Sequence, residues 1–141
     1  MGGARKKRIG TVAELFAGVG GFRCGLERSG WHVGWSNQWE PATKAQHASD
    51  CYLRNFPRDK HHVCDDIEKV VTAPNAKRRI PRIDLLVGGF PCQDYSVAKP
   101  LPQATGIQGK KGVLWWSIYK FLELKKPKYV LLENVDRLLK S

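Results

Sequence analysis

IDLLVGGFPCQDYSVAK, residues 83–99, is the stretch on which the fold of this 141-residue chain depends. The run Ile83–Val87 is almost wholly apolar, which is typical of a buried strand. Two glycines then allow a tight turn, and Pro91 stiffens the backbone directly before Cys92. The pattern predicts a strand that ends by presenting one thiol. A thiolate is a strong nucleophile once its pKa falls below about 8.5, although a buried structural cysteine is the simpler alternative.

Two other apolar runs end in chemically useful groups. Ile9–Phe16 leads into the glycine-rich turn at residues 17–21, and Tyr129–Glu133 ends in a carboxylate followed by Asn134. In open α/β sheets, ligands bind at the carboxyl ends of the strands. We therefore expect the three strand ends to meet at one site.

The alternation of strands and helices predicts a doubly wound, mostly parallel α/β sheet. The predicted strands are Ile9–Phe16, Trp31–Asn37, a short one around His62–Cys64, Ile83–Val87 and Tyr129–Glu133. The predicted helices are Gly21–Ser29, Pro41–Asn55 with proline in its first turn, Ile67–Val71 and Val113–Lys125. Thr72–Pro81 and Gln93–Gly112 are predicted loops. Residues 1–8 are expected to be a basic tail, and residues 9–141 to form one domain.

The composition favours a folded protein with a polyanionic partner. Apolar residues make up 42% of the chain, which argues against disorder. The formal charge of +11, from 24 basic and 13 acidic residues, most simply fits nucleic acid. A soluble protein that happens to be basic is the alternative. Since no stretch has the length of a membrane span or the pattern of a signal peptide, we expect an intracellular protein with reduced thiols.

Four residues raise the question of zinc. Cys51, His61, His62 and Cys64 lie close together in sequence, but their spacing fits no familiar ligand pattern, so we expect no metal. Cys24 falls on the first predicted helix and is interpreted as a packing residue.

Three motifs together point to a family. FAGVGG at 16–21, GGFPCQ at 88–93 and ENV at 133–135 resemble, in this order and spacing, motifs of the DNA cytosine-5 methyltransferases. They resemble that family's S-adenosylmethionine, nucleophile and catalytic-acid motifs, respectively. The resemblance covers residues 9–141 but only the first half of the family's pattern. It implies a Rossmann-like S-adenosylmethionine-dependent methyltransferase fold, incomplete at its C-terminal side.

The resemblance implies a catalytic group at the ends of two strands. Cys92, stiffened by Pro91, would add to C6 of a cytosine flipped out of double-stranded DNA. Glu133 would protonate or hydrogen-bond N3, and it would need a buried setting to do so near neutral pH. Asn134 would orient the base or the backbone of the Cys92 turn.

The resemblance also implies S-adenosyl-L-methionine as cofactor, S-adenosyl-L-homocysteine as product and no metal. The turn is not the fingerprint G-x-G-x-x-G, because Arg23 takes the third glycine's place. Trp39 would stack on adenine, while Gln38 stands where the family has a ribose-binding Glu, a role that Glu40 could share. The pair at 66–67 would read the adenine edge, although an acid at 65 or 66 could equally cap the next helix. The expected cofactor-binding residues are Phe16, Gly18, Gly20, Gly21, Gln38, Trp39, Glu40, Asp66, Ile67 and Leu114.

A loop closing over DNA is a further implication, for Gln93–Gly112, which is long and rich in proline, glycine and lysine. The expected DNA-binding residues are Gln93, Ser96, Lys99, Lys110 and Lys111. A related transfer-RNA methyltransferase is one alternative, but Phe90 favours DNA. A non-catalytic nucleic-acid-binding relative is the other, and it predicts loss of Cys92 or Glu133.

The last expectation concerns completeness. The sequence stops eight residues after Glu133, before the family's target-recognition and later motifs. We expect the chain alone to be inactive, and a second polypeptide or a missing part of the same protein to supply them. Without that missing part, the strand Tyr129–Glu133 would have an open apolar edge.

Overall fold

A computed structural model describes residues 7–90 and 113–134, the side chain of Val113 excepted. Five strands form one parallel sheet in the order β3-β2-β1-β4-β5. The strands are β1 Thr11–Leu15, β2 His32–Asn37, β3 His62–Val63, β4 Leu85–Gly89 and β5 Tyr129–Glu133. The helices are α1 Gly21–Arg28, α2 His47–Asn55, α3 Ile67–Thr72, α4 Ala76–Arg79 and α5 Val113–Lys125.

The order of the strands creates a reversal beside β1. The chain runs outward from β1 through β2 to β3, then returns to place β4 on the other side of β1 and continues to β5. In doubly wound sheets the crevice at such a reversal, between the carboxyl ends of β1 and β4, is where ligands bind. The predicted Rossmann-like α/β fold is confirmed, and every strand pairing described is parallel.

Each face of the sheet is covered by helices and buries its own apolar cluster. On one face, Trp35 and Phe121 pack with ring centroids 5.6 Å apart in the larger cluster, to which α3 and α5 contribute. On the other face, Val33 and Val87 pack beneath Phe22 and Leu26 of α1. The central strands β1 and β4 are therefore buried on both sides, as their continuous apolar runs predict.

Three elements differ from the sequence prediction. Strand β4 is Leu85–Gly89 and not Ile83–Val87, so the two glycines predicted to form a turn are its last residues and pair with β5. The second helix begins at His47 and not at Pro41, because the Gln46 side chain bonds the backbone of Glu40 and Thr43 and holds a turn there. The segment predicted as the loop Thr72–Pro81 contains the short helix α4. The packing role predicted for Cys24 is also wrong, since this side chain is exposed.

The edge strand β5 is apolar and exposed. Tyr129, Val130 and Leu131 are 60%, 47% and 48% exposed, and within the described residues β5 pairs only with β4. The predicted open apolar edge is therefore present in the part of the chain that the structure describes. In the same part, no helix is long and apolar enough to cross a membrane.

Candidate active site

The turn after β1 has a backbone that few side chains tolerate. Phe16, Gly18 and Gly20 have φ angles of 53°, 55° and 94°. A Cβ on Gly20 would lie 2.2 Å from Cε2 of Phe56, so this position needs both the conformation and the absence of a side chain. At Gly18 a Cβ would meet none of the described residues within 4 Å, so the described part of the chain leaves the turn open there. A strained non-glycine residue beside an open glycine is typical of a ligand site.

The ends of β1 and β2 are joined by Gln38. Its Oε1 accepts a hydrogen bond of 2.9 Å from the backbone amide of Gly18. Trp39 follows at the same edge with 38% of its surface exposed, so its ring is accessible to a ligand. The structure thus brings the predicted pair Gln38 and Trp39 next to the glycine turn.

The end of β3 is held by Asn37, which the sequence analysis did not single out. Its Nδ2 donates to the carbonyl oxygens of Val63 and Asp65 at 3.1 and 2.8 Å. The backbone carbonyl oxygen of Asn37 accepts from the backbone amide of Ala17 at 3.0 Å. Asn37 therefore links the end of β3 to the turn after β1. A side-chain amide at the end of an apolar strand was the available signal.

The pair Asp66-Ile67 lies at the start of α3. Oδ1 of Asp66 accepts from the amide of Glu68 at 2.9 Å, so the helix-cap interpretation is confirmed for this residue. Ile67 is 3% exposed and belongs to the core. Whether the second oxygen of Asp66 also reads an adenine edge stays a prediction.

Glu40 has a structural partner of its own. Its Oε2 accepts from the amide of Ala48 at 3.0 Å, in the first turn of α2. A carboxylate is favourable at a helix start, where backbone amides lack partners. One oxygen is therefore committed to the helix, and a ribose contact stays a prediction for the other.

The ends of β4 and β5 pair Gly89 with Glu133. A Cβ on Gly89 would lie 2.9 Å from Oε2 of Glu133, so the missing side chain makes room for this carboxylate. Next along the strand, Nδ2 of Asn134 lies 3.5 Å from the carbonyl oxygen of Phe90, a long hydrogen bond. The buried setting expected for Glu133 is not found, because its side chain is exposed at the edge strand.

Three aromatic side chains, Phe16, Phe90 and Trp115, pack together next to these strand ends. The ring of Phe90 lies 6.4 Å from that of Phe16 and 6.4 Å from that of Trp115 on α5. Leu114 packs against the same apolar cluster. The turn after β1, the end of β4 and the start of α5 therefore meet. The remaining predicted catalytic and DNA-binding residues, Pro91, Cys92, Gln93, Ser96, Lys99, Lys110 and Lys111, lie outside the described residues.

A buried polar network beneath the glycine turn was missed by the sequence analysis. Glu14 on β1 is fully buried, and its Oε2 accepts from the Tyr52 hydroxyl at 3.1 Å. Burial raises the pKa of Glu14 from 4.5 to about 7, against the lowering effect of the Tyr52 bond and of Arg23. The Tyr52 hydroxyl also accepts from Nη1 of Arg23, which pairs with Asp59. The acidic residue inside the mostly apolar strand TVAEL, directly before the turn, was the sequence feature that could have indicated this network.

His62 is bonded inside the fold. Its Nδ1 and Nε2 lie 2.8 and 2.7 Å from the hydroxyls of Ser36 and Ser49, and burial lowers its pKa. Among the residues with described positions, no group of three or more His, Cys, Asp and Glu side chains is arranged to hold a metal ion.

A parallel sheet with its reversal beside a strained glycine turn defines a Rossmann-like protein, a class in which ligands bind at this edge of the sheet. The chain belongs to the C-5 cytosine-specific DNA methylase family, whose model matches residues 10–141.

Curated relatives of this chain are named type II methyltransferases. It is 54% identical over 133 residues to the type II methyltransferase M.Sau3AI of Staphylococcus aureus, covering 92% of this chain and 31% of that protein. It is 36% identical over 122 residues to the type II methyltransferase M.HhaI of Haemophilus parahaemolyticus, covering 86% and 32%. It is also 36% identical over 125 residues to M.HaeII of Haemophilus aegyptius, covering 89% and 34%. The chain spans about a third of the length of these relatives.

Proposed function

We propose that the protein containing this chain is a DNA cytosine-5 methyltransferase, and that this chain supplies its cofactor pocket and its nucleophile. The family match and the type II methyltransferase relatives support DNA as substrate, and they give no support to transfer RNA. Because the substrate would be DNA, the protein would act inside the cell.

The site at the ends of β1, β2 and β3 fits an adenosyl cofactor. Gly18 leaves open space, Trp39 offers an accessible ring for stacking, and Gln38 lies beside both. Asp66 and Ile67 lie at the start of α3, shortly after the end of β3. We propose that these residues hold S-adenosyl-L-methionine. When bound, the cofactor supplies the methyl group that cytosine C5 receives.

The nucleophile and the acid act on two atoms of the same cytosine ring, C6 and N3. The Cys92 thiolate adds to C6, and the electron pair of the C5–C6 double bond becomes available at C5. A proton or hydrogen bond from Glu133 at N3 lowers the cost of this addition. After C5 has gained the methyl group it loses its proton to a base, the double bond re-forms, and Cys92 leaves as thiolate. The target base must leave the duplex stack, at a cost of a few kcal/mol.

The observation that carries this proposal is the contact between Glu133 and Gly89. It fixes the carboxylate beside the backbone three residues before Cys92, while Asn134 bonds the carbonyl of Phe90 one residue further on. Since Glu133 is exposed in the described chain, we propose that substrate and the rest of the enzyme bury it during catalysis. Gln93, Ser96, Lys99, Lys110 and Lys111 would contact the DNA phosphates.

The rest of the enzyme would dock along β5. The apolar residues Tyr129, Val130 and Leu131 are exposed on a strand with a free pairing edge in the described part. Such an edge is a template for another strand. We propose that the remaining two thirds of the methyltransferase length, on this or a second polypeptide, cover it and carry target recognition, and that methylation needs both parts.

Methyl transfer from labelled S-adenosylmethionine tests the proposal. The protein with the full methyltransferase length should form 5-methylcytosine in duplex DNA and leave transfer RNA unlabelled. Glu133→Gln should lower the rate by about 10²–10⁴-fold, since it removes the acid. The matched change Glu123→Gln, on α5 and ion-paired with Lys120 at 3.6 Å, should leave it unchanged. Labelled transfer RNA with unlabelled DNA would contradict the proposal.

A further inference from the structure

The amino ends of the strands form a basic surface on the side of the sheet opposite the candidate active site. At least one exposed basic residue precedes every strand: Arg8 before β1, Arg28 before β2, Lys60 before β3, Arg82 before β4 and Lys128 before β5. Because all pairings are parallel, these five residues share one edge. We call this the amino-edge surface, together with the residues of α4 that adjoin it.

The α4 residues extend the surface on one side. Lys77, Arg78 and Arg79 are exposed on one short helix. Nζ of Lys125 donates to the carbonyl oxygens of Lys77 and Ile80 at 3.0 and 2.6 Å, which fastens the end of α5 to α4. Burial, and then the charge of Lys77, lower the pKa of Lys125, as expected where cations are crowded. Lys125, the last residue of α5, therefore lies beside the α4 cations.

The acids near this edge are already engaged. Glu27 and Asp59 both bond Arg23, the first at 2.9 Å, and Oδ2 of Asp84 accepts from the amide of Thr11 at 2.9 Å. Within the described chain, none of the five strand-leading cations forms an ion pair. Their charge is therefore available to an external anion.

The opposite edge is mainly acidic in its described part, although Lys44 and Lys69 are also exposed there. Glu40, Asp65, Asp66 and Glu68 follow the ends of β2 and β3, and Glu133 is the last residue of β5. The positive charge of the described chain is thus concentrated away from the candidate active site and is not explained by binding at that site.

We propose that the amino-edge surface binds the phosphate backbone of duplex DNA without regard to sequence, as a second contact separate from the one that presents the target base. Five strands spaced about 4.8 Å apart make the edge about 20 Å wide, which is the length of about six phosphates along one DNA strand. Exposed lysine and arginine without acidic partners are the side chains that such contacts use. The inference goes beyond the proposed function, because it needs neither cofactor nor methyl transfer.

Binding of a labelled duplex to the purified 141-residue chain tests the proposal. Fluorescence anisotropy with a random-sequence duplex of about 20 base pairs, without cofactor, gives the dissociation constant as a function of salt concentration. The test variant is Arg78→Gln/Arg79→Gln/Arg82→Gln. The matched control is Lys44→Gln/Lys69→Gln/Lys120→Gln, which removes the same charge from exposed positions elsewhere. Circular dichroism verifies that both variants are folded.

The test variant should weaken binding by about tenfold or more and reduce the slope of log K against log salt by about 2 to 3, since each lost phosphate contact removes about 0.9. The dissociation constant of the control should stay within about twofold of that of the parent. Its salt slope should stay within about 0.5 of the parent's slope. Equal losses in both variants would show a general charge effect and overturn the proposal. Unchanged binding by the test variant would overturn it as well.

Discussion

The buried Glu14 carboxylate makes the stability of this chain depend on pH in an unusual direction. The side chain has no exposed surface, one oxygen accepts from Tyr52, and the other has no hydrogen-bond partner within the described chain. Burial raises its pKa from 4.5 to about 7, so the folded protein holds this proton more tightly than the unfolded chain does. The stability that Glu14 contributes is therefore fully present below pH 4.5 and is lost as pH rises through about 7.

The size of the effect follows from the shift. At 1.36 kcal/mol per pKa unit, the change from 4.5 to about 7 amounts to about 3 kcal/mol, of which about 2.5 kcal/mol falls between pH 5 and pH 8. Glu14→Gln keeps the shape and an acceptor for Tyr52 but cannot ionise. Relative to this variant, the parent should lose about 2.5 kcal/mol of unfolding free energy between pH 5 and pH 8.

Urea unfolding at pH 5, 6, 7 and 8, followed by circular dichroism, measures the difference between parent and variant at each pH. Glu123→Gln, the same change at an exposed glutamate, is the control and should follow the parent at every pH. The reasoning would be refuted if the parent and Glu14→Gln differed by the same amount at every pH. A parent that gained stability relative to the variant as pH rose would refute it too.

Two further changes test the glycine turn and the cofactor pocket. Gly20→Ala should lower the unfolding free energy by about 2–4 kcal/mol in urea, because the new Cβ meets Phe56 and the residue has a positive φ. Gly21→Ala, where a Cβ meets nothing within 4 Å, should be neutral or stabilise by up to about 1 kcal/mol, and equal losses in both would contradict the packing argument. Trp39→Ala should weaken S-adenosylmethionine binding in calorimetry by about 1–3 kcal/mol if the ring stacks on adenine. Unchanged affinity would place the cofactor elsewhere.

The parts of the fold that the sequence predicts well are those with strong periodicity and clear stops. The bounds of α5 and β5 are confirmed to the residue, because Lys126-Pro127 separates two long apolar runs. The false helix start at Pro41 arose because a proline was read as a first turn while the Gln46 side chain offered the backbone other partners. Such side-chain bonds depend on a folded turn, so the sequence alone does not show them.

The sequence predicts which strand ends form the candidate site, but not the buried contacts beneath it or the exposure of its side chains. The sequence predicts that three strand ends meet, and the structure joins them through Gln38, Phe90 and the pairing of Gly89 with Glu133. The buried network of Glu14 and Tyr52 escaped prediction because its partners are far apart in sequence and only the sheet brings them together. The exposure of Glu133 escaped it because burial at an edge strand depends on what covers that edge.

The central claim is that Cys92 is the nucleophile of a DNA cytosine-5 methyltransferase. Duplex DNA with 5-fluorocytosine at the target position tests it most directly, because the fluorine at C5 cannot leave as a proton does and the adduct is trapped. In the presence of S-adenosylmethionine, the full-length protein should form a complex that survives denaturation and whose mass equals protein plus methylated DNA. A Cys92→Ser variant should bind the cofactor and form no such complex, whereas a Cys24→Ser control should behave like the parent. A complex that forms with Cys92→Ser, or that maps to another residue, would contradict the account.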